Sequence, residues 1–319
     1  MDKTIDCVVC GSCTVDVLVR PFPLDRPVGS GQLVRVEPIR ATTGGIVCNS
    51  SIAMARLGLR AAGFTYLGDD DWGCLVRRKL HAEGVDASQL LTHPTAPTSV
   101  SAVLVAADGE RSFAHSQGAP KLLDGDAFLR HLELFARSRM LLLGYYPLLP
   151  NLQADLPEVL ARLREVGCRT ALDAAGNGGD LQPLDRSLPH LDVYCPSYSE
   201  ASHQTGETEP RRILATFRDC GAAGLLGVKL GAQGALLSPE RGVFLPIPAV
   251  PPPGPVVDTT GAGDAFYAGL LTGLLRGLSV DAAGRLAAAT GACCVTALGA
   301  TAGLKDFAGT AALAGLEKD

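Results

Sequence analysis

Short apolar runs stopped by glycine or aspartate alternate along this chain with longer segments of helical periodicity, and that alternation limits what it can fold into. Residues 5–10 read as a strand ending at Gly11, and 45–57 as a helix stopped by Gly58. A strand over 62–67 closes at Gly68, and a helix over 72–83 stops at Gly84. Strands at 139–143, 170–172, 193–195 and 225–229 interleave with helices at 152–166 and 210–220. Two further helices, 263–275 and 280–298, carry Ala- and Leu-rich faces. Strands joined by crossover helices through short connections predict an α/β fold. Its mostly parallel sheet would be covered on both faces, giving a three-layer α/β/α core.

Two stretches interrupt this rhythm. Residues 14–19 and 33–39 read as antiparallel strands joined by a Pro- and Gly-rich loop. Residues 99–105 and 111–115 read as a hairpin turning at Ala107-Asp108-Gly109, where Asp-Gly is a strong turn signal. Neither is followed directly by a crossover helix, so both are assigned to a small β-sheet lid on the edge of the core. The division is 14–40 and 98–116 for the lid, and 1–13, 41–97 and 117–319 for the core. The lid's outer face would close over a ligand or pair with a second copy, a homodimer through the lid.

Composition narrows the ligand. The 28 basic residues against 33 acidic ones give a net charge of −5, with no block of Lys or Arg, which leaves no electrostatic footprint for nucleic acid or an anionic membrane. Aromatics at 5% offer no base-stacking platform. Apolar runs such as 140–143 and 270–275 fall well below the roughly 20 residues that span a bilayer. The start of the chain offers too short an apolar run for a signal peptide, so the expectation is a cytoplasmic protein acting on a small molecule. The Cys7-x2-Cys10-x2-Cys13 spacing lacks the fourth Cys-Pro of an iron–sulfur run, and these thiols read as reduced, buried small hydrophobes.

The most informative segment is Asp258-Thr259-Thr260-Gly261-Ala262-Gly263-Asp264-Ala265-Phe266, which follows a Pro-rich loop and opens an apolar helix. Gly261, Ala262 and Gly263 carry little or no side chain, so backbone N–H groups can approach a ligand closely. At a helix N-terminus such amides make an anion site. Asp264 then stands in the first turn, where a carboxylate can take the proton of a hydroxyl attacking phosphorus.

This run resembles the C-terminal signature of the ribokinase family of carbohydrate kinases, the phosphofructokinase-B group. Gly44-Gly45-x3-Asn49 is similar to that family's N-terminal signature, and Gly11-x4-Asp16 to its first-strand glycine and lid-base aspartate. Gly68-x-Asp70-x2-Gly73 and Gly231-x2-Gly234 follow in family order, so the resemblance spans nearly the whole chain. It implies a ribokinase-like fold and transfer of the γ-phosphoryl group of ATP to a hydroxyl of a small sugar. By the same resemblance Asp264 is the base, and Gly261, Ala262 and Gly263 form the anion hole. Asp16, Gly44, Gly45 and Asn49 bind the sugar, while Gly231 and Gly234 bind ATP. Glu200 organises Mg²⁺ through water, and Asp258 lies at a monovalent-cation site filled in many members by K⁺.

The chain departs from the family pattern at three places. Ser197 stands where Asn is expected, which keeps an oxygen on a shorter arm beside the metal. Lys229 replaces a small hydroxyl residue; it either reaches nucleotide phosphates as a point charge or pairs with a nearby acid. Pro120 follows Gly118-Ala119 where the family often has Asn, so no sugar contact is carried onto it.

Other mechanisms lose support on sequence. No Gly-x4-Gly-Lys-Ser/Thr, no Gly-x-Gly-x2-Gly between first strand and helix, no His-Glu-x2-His and no Gly-x-Ser-x-Gly occurs. Of the histidines only His115, in the second lid hairpin, is placed near substrate. A nucleoside kinase of the same fold is the nearest alternative, though the lid segments offer only Phe22 and Phe113 against a base. A phosphosugar would want clustered cations, and Arg35, Arg40 and Arg111 form no obvious cluster. A non-catalytic sugar or nucleotide sensor would be expected to break Asp264 or the anion turn, and both are intact.

Overall fold

The computed structural model describes residues 2–25, 29, 31 and 33–316. Eight strands build the main sheet: β1 (Ile5–Gly11) and, after two strands that leave it, β2 (Thr14–Val19) and β3 (Arg40–Gly44), then β4 (Ala61–Phe64). Next come β5 (Tyr66–Gly68), β6 (Leu91–His93), β7 (Val100–Val105) and β8 (Arg111–Ser116), all outside the main sheet. The chain returns to it with β9 (Ser138–Gly144), β10 (Arg169–Leu172), β11 (Val193–Tyr194) and β12 (Leu225–Lys229). It finishes with β13 (Ala235–Ser238) and β14 (Leu245–Ile247). Their order is β14-β13-β12-β11-β10-β9-β1-β4. The pairs from β4 to β12 are parallel, and the β12–β13 and β13–β14 pairs at the other edge are antiparallel.

The period-2 geometry of a strand explains why both faces are apolar. Along β1, Val8 and Cys10 enter one core while Cys7 and Val9 enter the other. On β9, Leu141 and Leu143 share the first face, and Met140 and Leu142 the second. The first face is covered by helices Gly125–Arg130, Leu156–Glu165 and Pro210–Asp219. Helices Ile46–Arg56, Ala262–Leu275 and Val280–Cys294 cover the second. Cys7 and Cys10 are free, buried thiols in these layers, Cys13 is one in a third cluster with Val15, Val47 and Ile52, and Cys74 is exposed. Among the described residues no helix is long and apolar enough to cross a membrane.

A four-stranded sheet, β3-β2-β7-β8, stands beside this core, with β2–β7 parallel and its other pairs antiparallel. The hairpin expected at 99–105 and 111–115 is present. The strand expected at 33–39 is not: Pro38 has no N–H to give a ladder, Leu33 and Ile39 face solvent at 82% and 59% exposure, and β2 pairs instead with Arg40–Gly44. The loop placed between 19 and 33 falls in part on residues 26–28, 30 and 32, outside the described residues.

Three other boundaries differ from expectation. The run 62–67 splits, because after Phe64 the hydroxyl of Thr65 bonds the Gly11 carbonyl and β5 pairs with β6 in a separate ribbon. The helix expected at 152–166 begins only at Leu156, with Pro157 in its first turn. The helix expected to reach Leu298 ends at Cys294, where the Val295 carbonyl accepts from the Val257 and Asp258 amides instead of continuing the helix.

The first-face core centres on Phe64, Phe128 and Phe135, whose ring centroids lie 5.3–5.6 Å apart. Phe135→Ala should destabilise the protein by about 3–5 kcal/mol, read as a lower urea midpoint at unchanged m-value.

Candidate active site

The carboxyl ends of β1, β9, β10 and β12 open onto one cleft, the place where open parallel sheets bind ligands. Two glycines make the strand ends close-fitting. A Cβ on Gly11, whose φ is +126°, would lie 2.0 Å from the Gly144 carbonyl oxygen, and one on Gly144 would meet Ile46 at 2.0 Å. Only bare backbone lets helix Ile46–Arg56 come this near the sheet.

Asp264 lies at the centre of the cleft, in the first turn of helix Ala262–Leu275, with 3% of its surface exposed. Asn49, from helix Ile46–Arg56, donates from Nδ2 to Asp264 Oδ2 at 2.8 Å. The Tyr145 hydroxyl donates to the same carboxylate, 2.9 Å from Oδ2 and 3.0 Å from Oδ1. Ser50 fixes the Asp264 backbone by donating to its carbonyl at 3.1 Å. Burial raises the Asp264 pKa. The Asn49 and Tyr145 hydrogen bonds and the Lys229 charge oppose that rise, and Glu200 adds to it. The result is a carboxylate more basic than a solvated one, held ready for a proton.

The turn before it has the expected glycine geometry. Gly261 is left-handed (φ +77°), and a Cβ there would strike Ala300 at 2.3 Å. Among the described residues the Gly261 and Gly263 amides take no protein acceptor. The Ala262 amide does: it donates to the Thr259 carbonyl at 3.2 Å, so it closes the turn rather than facing an anion.

Lys229, at the end of β12, reaches Asp173, just past β10, with Nζ 3.0 Å from Oδ1. Both side chains are nearly buried, at 11% and 2% exposure. Burial pushes the Asp173 carboxyl up to about 7 even with Lys229 beside it. Burial disfavours the Lys229 ammonium as well, but Asp173 and Glu200 outweigh that and hold it charged. The lysine therefore pairs with an acid and also faces the cleft, since a Cβ on Gly263 would lie 3.5 Å from Nζ. It borders a cavity of about 630 Å³, lined also by Gly231, Gly234, Val250, Ala262 and Gly263.

Asp16 and the Gly44-Gly45 pair meet opposite this cavity. A Cβ on Gly44 would stand 2.2 Å from Asp16 Oδ2, and one on Gly45 (φ +79°) would stand 2.5 Å from the Ser12 carbonyl. The register of the small sheet sets Thr42, Asp16, Ser101 and His115 in one cross-strand row. Ser101 Oγ lies 3.0 Å from His115 Nδ1. Burial raises the Asp16 pKa, against a hydrogen bond from Ser101 and the charge of His115. By contrast, Gly68, Asp70 and Gly73 form a helix cap away from this row. Asp70 accepts from Gly73 and Thr98 amides, each at 2.8 Å.

The two expected metal positions differ in kind. Glu200 is the third residue of helix Tyr198–Thr205 and forms a capping box with Ser197. The Ser197 amide donates to Glu200 Oε2 at 2.7 Å, and Ser197 Oγ accepts from the Glu200 amide. Ser197 is thus a helix cap, which accounts for a short hydroxyl there. Glu200 keeps one oxygen for a cation. Among the described residues no three metal-ligating side chains converge. That donor set fits Mg²⁺ carried in by phosphates and held through water, not an all-protein cage.

Asp258 does not fit K⁺ in the same way. Its Oδ1 accepts from the Thr260 amide and its Oδ2 from the Gly299 amide, both at 2.8 Å. Arg111, from β8, places Nη2 2.8 Å from Oδ1 and also donates to the Thr260 hydroxyl. Backbone donors and the Arg111 guanidinium, more than burial can oppose, leave the Asp258 pKa lowered.

Tyr145, Asp173 and Ser101 were not singled out by motif. Tyr145 and Asp173 do follow directly on Gly144 and Leu172, the last residues of parallel strands, and that position alone marks them. Tyr145 is also the one non-glycine residue with positive φ (+59°) among the described residues, a strained conformation of the kind that clusters at functional sites. Ser101 becomes visible only once β2 and β7 are paired.

Residues 4–306 match the pfkB family of carbohydrate kinases. The chain is 34% identical to the aminoimidazole riboside kinase of Salmonella typhimurium, over 82% of this chain and 84% of that protein. It is 28% identical to the ribokinase of Bacillus subtilis, covering 93% and 95%. The structure of Arabidopsis thaliana ribokinase complexed with ribose and ATP superposes with a TM-score of 0.82 at 25% identity, covering all of both chains.

Lys229→Met would leave Asp173 buried without its cation, at an expected cost of about 3 kcal/mol near neutral pH. The folded Asp173 pKa is already raised, and the variant raises it further. The folded protein then binds the proton more readily than the unfolded chain, so the deficit should shrink as pH falls. Urea midpoints of both proteins across the pH range check this.

Proposed function

The chain belongs to the pfkB family of carbohydrate kinases, and within that family we propose that it transfers the γ-phosphoryl group of ATP to a hydroxyl of a small sugar such as ribose or fructose. The observation that carries this reading is Asp264: a buried carboxylate at a helix N-terminus, between the Gly261–Gly263 turn and the Asp16–Gly44 side of the cleft. The sugar is proposed to lie against Asp16, Gly44, Gly45 and Asn49 under the small sheet, acting as a lid. ATP would lie in the cavity along Gly231 and Gly234 with its phosphates toward Lys229.

In this reading the acceptor hydroxyl gives its proton to Asp264 as its oxygen bonds to the γ-phosphorus and the bond to the ADP oxygen breaks. The transition state spreads negative charge over the phosphoryl oxygens. The Gly261 and Gly263 amides and the Lys229 ammonium oppose that charge without having to reorganise. Asn49 and Tyr145 hold the carboxylate in line with the hydroxyl. Mg²⁺, held through water by Glu200, would screen the phosphates when bound. A second acceptor class is supported by the Salmonella relative, which is named for a riboside; a ribose bearing a substituent would occupy the same pocket.

Turnover of ATP across sugars, sugar acids and ribosides tests both acceptor classes. Asp264→Asn should keep its melting temperature and lose at least about a hundredfold in kcat; full turnover in that variant would remove Asp264 as base. Tyr145→Phe deletes a donor that favours the charged carboxylate, so the Asp264 pKa rises. The acid limb of its kcat–pH profile should therefore move to higher pH, while a profile that stays in place would detach Tyr145 from the base.

A further inference from the structure

We infer that Arg111 is a positioning residue that takes the place of a monovalent cation beside Asp258 and couples the small sheet to the anion turn. The inference rests on the phosphoryl-transfer reading above. Every Asp258 oxygen is already engaged: the Thr260 amide and the Arg111 guanidinium share Oδ1, and the Gly299 amide takes Oδ2. Asp258 is 3% exposed and Arg111 26%, so the pair is largely withdrawn from water. A potassium ion needs free oxygens and would have to sit against a fixed positive charge. The guanidinium provides the charge and, unlike an ion, a direction. One nitrogen holds the Asp258 carboxylate and another the Thr260 hydroxyl, so its fork spans the residues that lead into Gly261.

Where the arginine comes from gives it a second effect. Arg111 is the first residue of β8, an edge strand of the small sheet, and pairs in register with Val105. Its contact with Thr260 crosses 149 positions of sequence. Besides its core contacts with Gly299 and Val295, the Asp258–Thr260 segment is therefore braced by a residue of the small sheet. Arg111 touches neither the cavity glycines nor Asp264, so it acts through the turn.

The test compares wild type, Arg111→Met and Arg111→Lys in KCl and in choline chloride at matched ionic strength. Melting temperature is read first, because it needs no substrate. Wild type should melt alike in both salts, while Arg111→Met should gain stability specifically with rising KCl. Turnover of ATP with the best sugar of the panel is read second. Wild type should be indifferent to the salt. Arg111→Met should lose between about tenfold and a hundredfold in choline and recover part of it with KCl or added guanidinium. Arg111→Lys should keep the charge without the fork and fall between the two. Stabilisation or activation of wild type by KCl over choline would overturn the inference, even if Arg111→Met failed to fold. So would an Arg111→Met protein indistinguishable from wild type in both salts. Absence of turnover on every sugar would count against the kinase reading, and the melting comparison would still decide the cation question.

Discussion

A carboxylate buried at the meeting point of several elements, Asp264, is the constraint around which this cleft is arranged. Withdrawing Asp264 from water raises its pKa, and left alone it would simply protonate. Asn49 from one helix and Tyr145 from the end of β9 keep it ionisable. Lys229, fixed by Asp173, places a positive charge nearby. Each of these groups comes from a different element, so the sheet order and the close approach of helix Ile46–Arg56 are preconditions for the chemistry. Gly144 serves that approach: it lets the helix carrying Asn49 lie close enough to reach Asp264, while Gly11 lets β1 and β9 close up beside it.

The small sheet adds a polar wall on the other side. Its register brings Asp16, Ser101 and His115 into one row, a surface suited to hydroxyl groups. It also sends Arg111 across to the anion turn. Of the three lid arginines weighed for a phosphosugar, this one is committed to Asp258, and Arg35 and Arg40 remain exposed. The cationic pocket that a phosphorylated acceptor would need is not assembled from them.

Much of this was legible in the amino-acid sequence, for reasons that differ from residue to residue. Parallel strands buried on both faces leave uniform apolar runs, so β1, β9, β10, β11 and β12 could be placed to within a residue or two, whereas 62–67 ran past the end of β4 and the antiparallel edge strands β13 and β14 were not read. The 258–266 run packs its chemistry into consecutive positions, so Asp264 and its glycines needed no tertiary information. Tyr145 and Asp173 carry no local pattern beyond their place after a strand; what they do depends on contacts across the sheet. The strand pattern at 33–39 was misleading because alternation alone does not supply a pairing partner. β2 had a better one in Arg40–Gly44, which leads straight into the Gly44-Gly45 turn. Arg111 was visible as a charge, but its partner lies 147 positions away, and nothing local to either residue names the other.

The distances in sequence that join the site also govern when it can come into being. Asn49 is 215 positions from Asp264 and Tyr145 is 119 from it. Contacts of such separation form late in folding, because the entropy of closing long loops comes before any reward. A chain emerging from the ribosome presents Asp16, Gly44 and Asn49 first and Asp264 only much later. The cluster of Asn49, Tyr145 and Asp264 is therefore complete only once both halves of the chain have folded together.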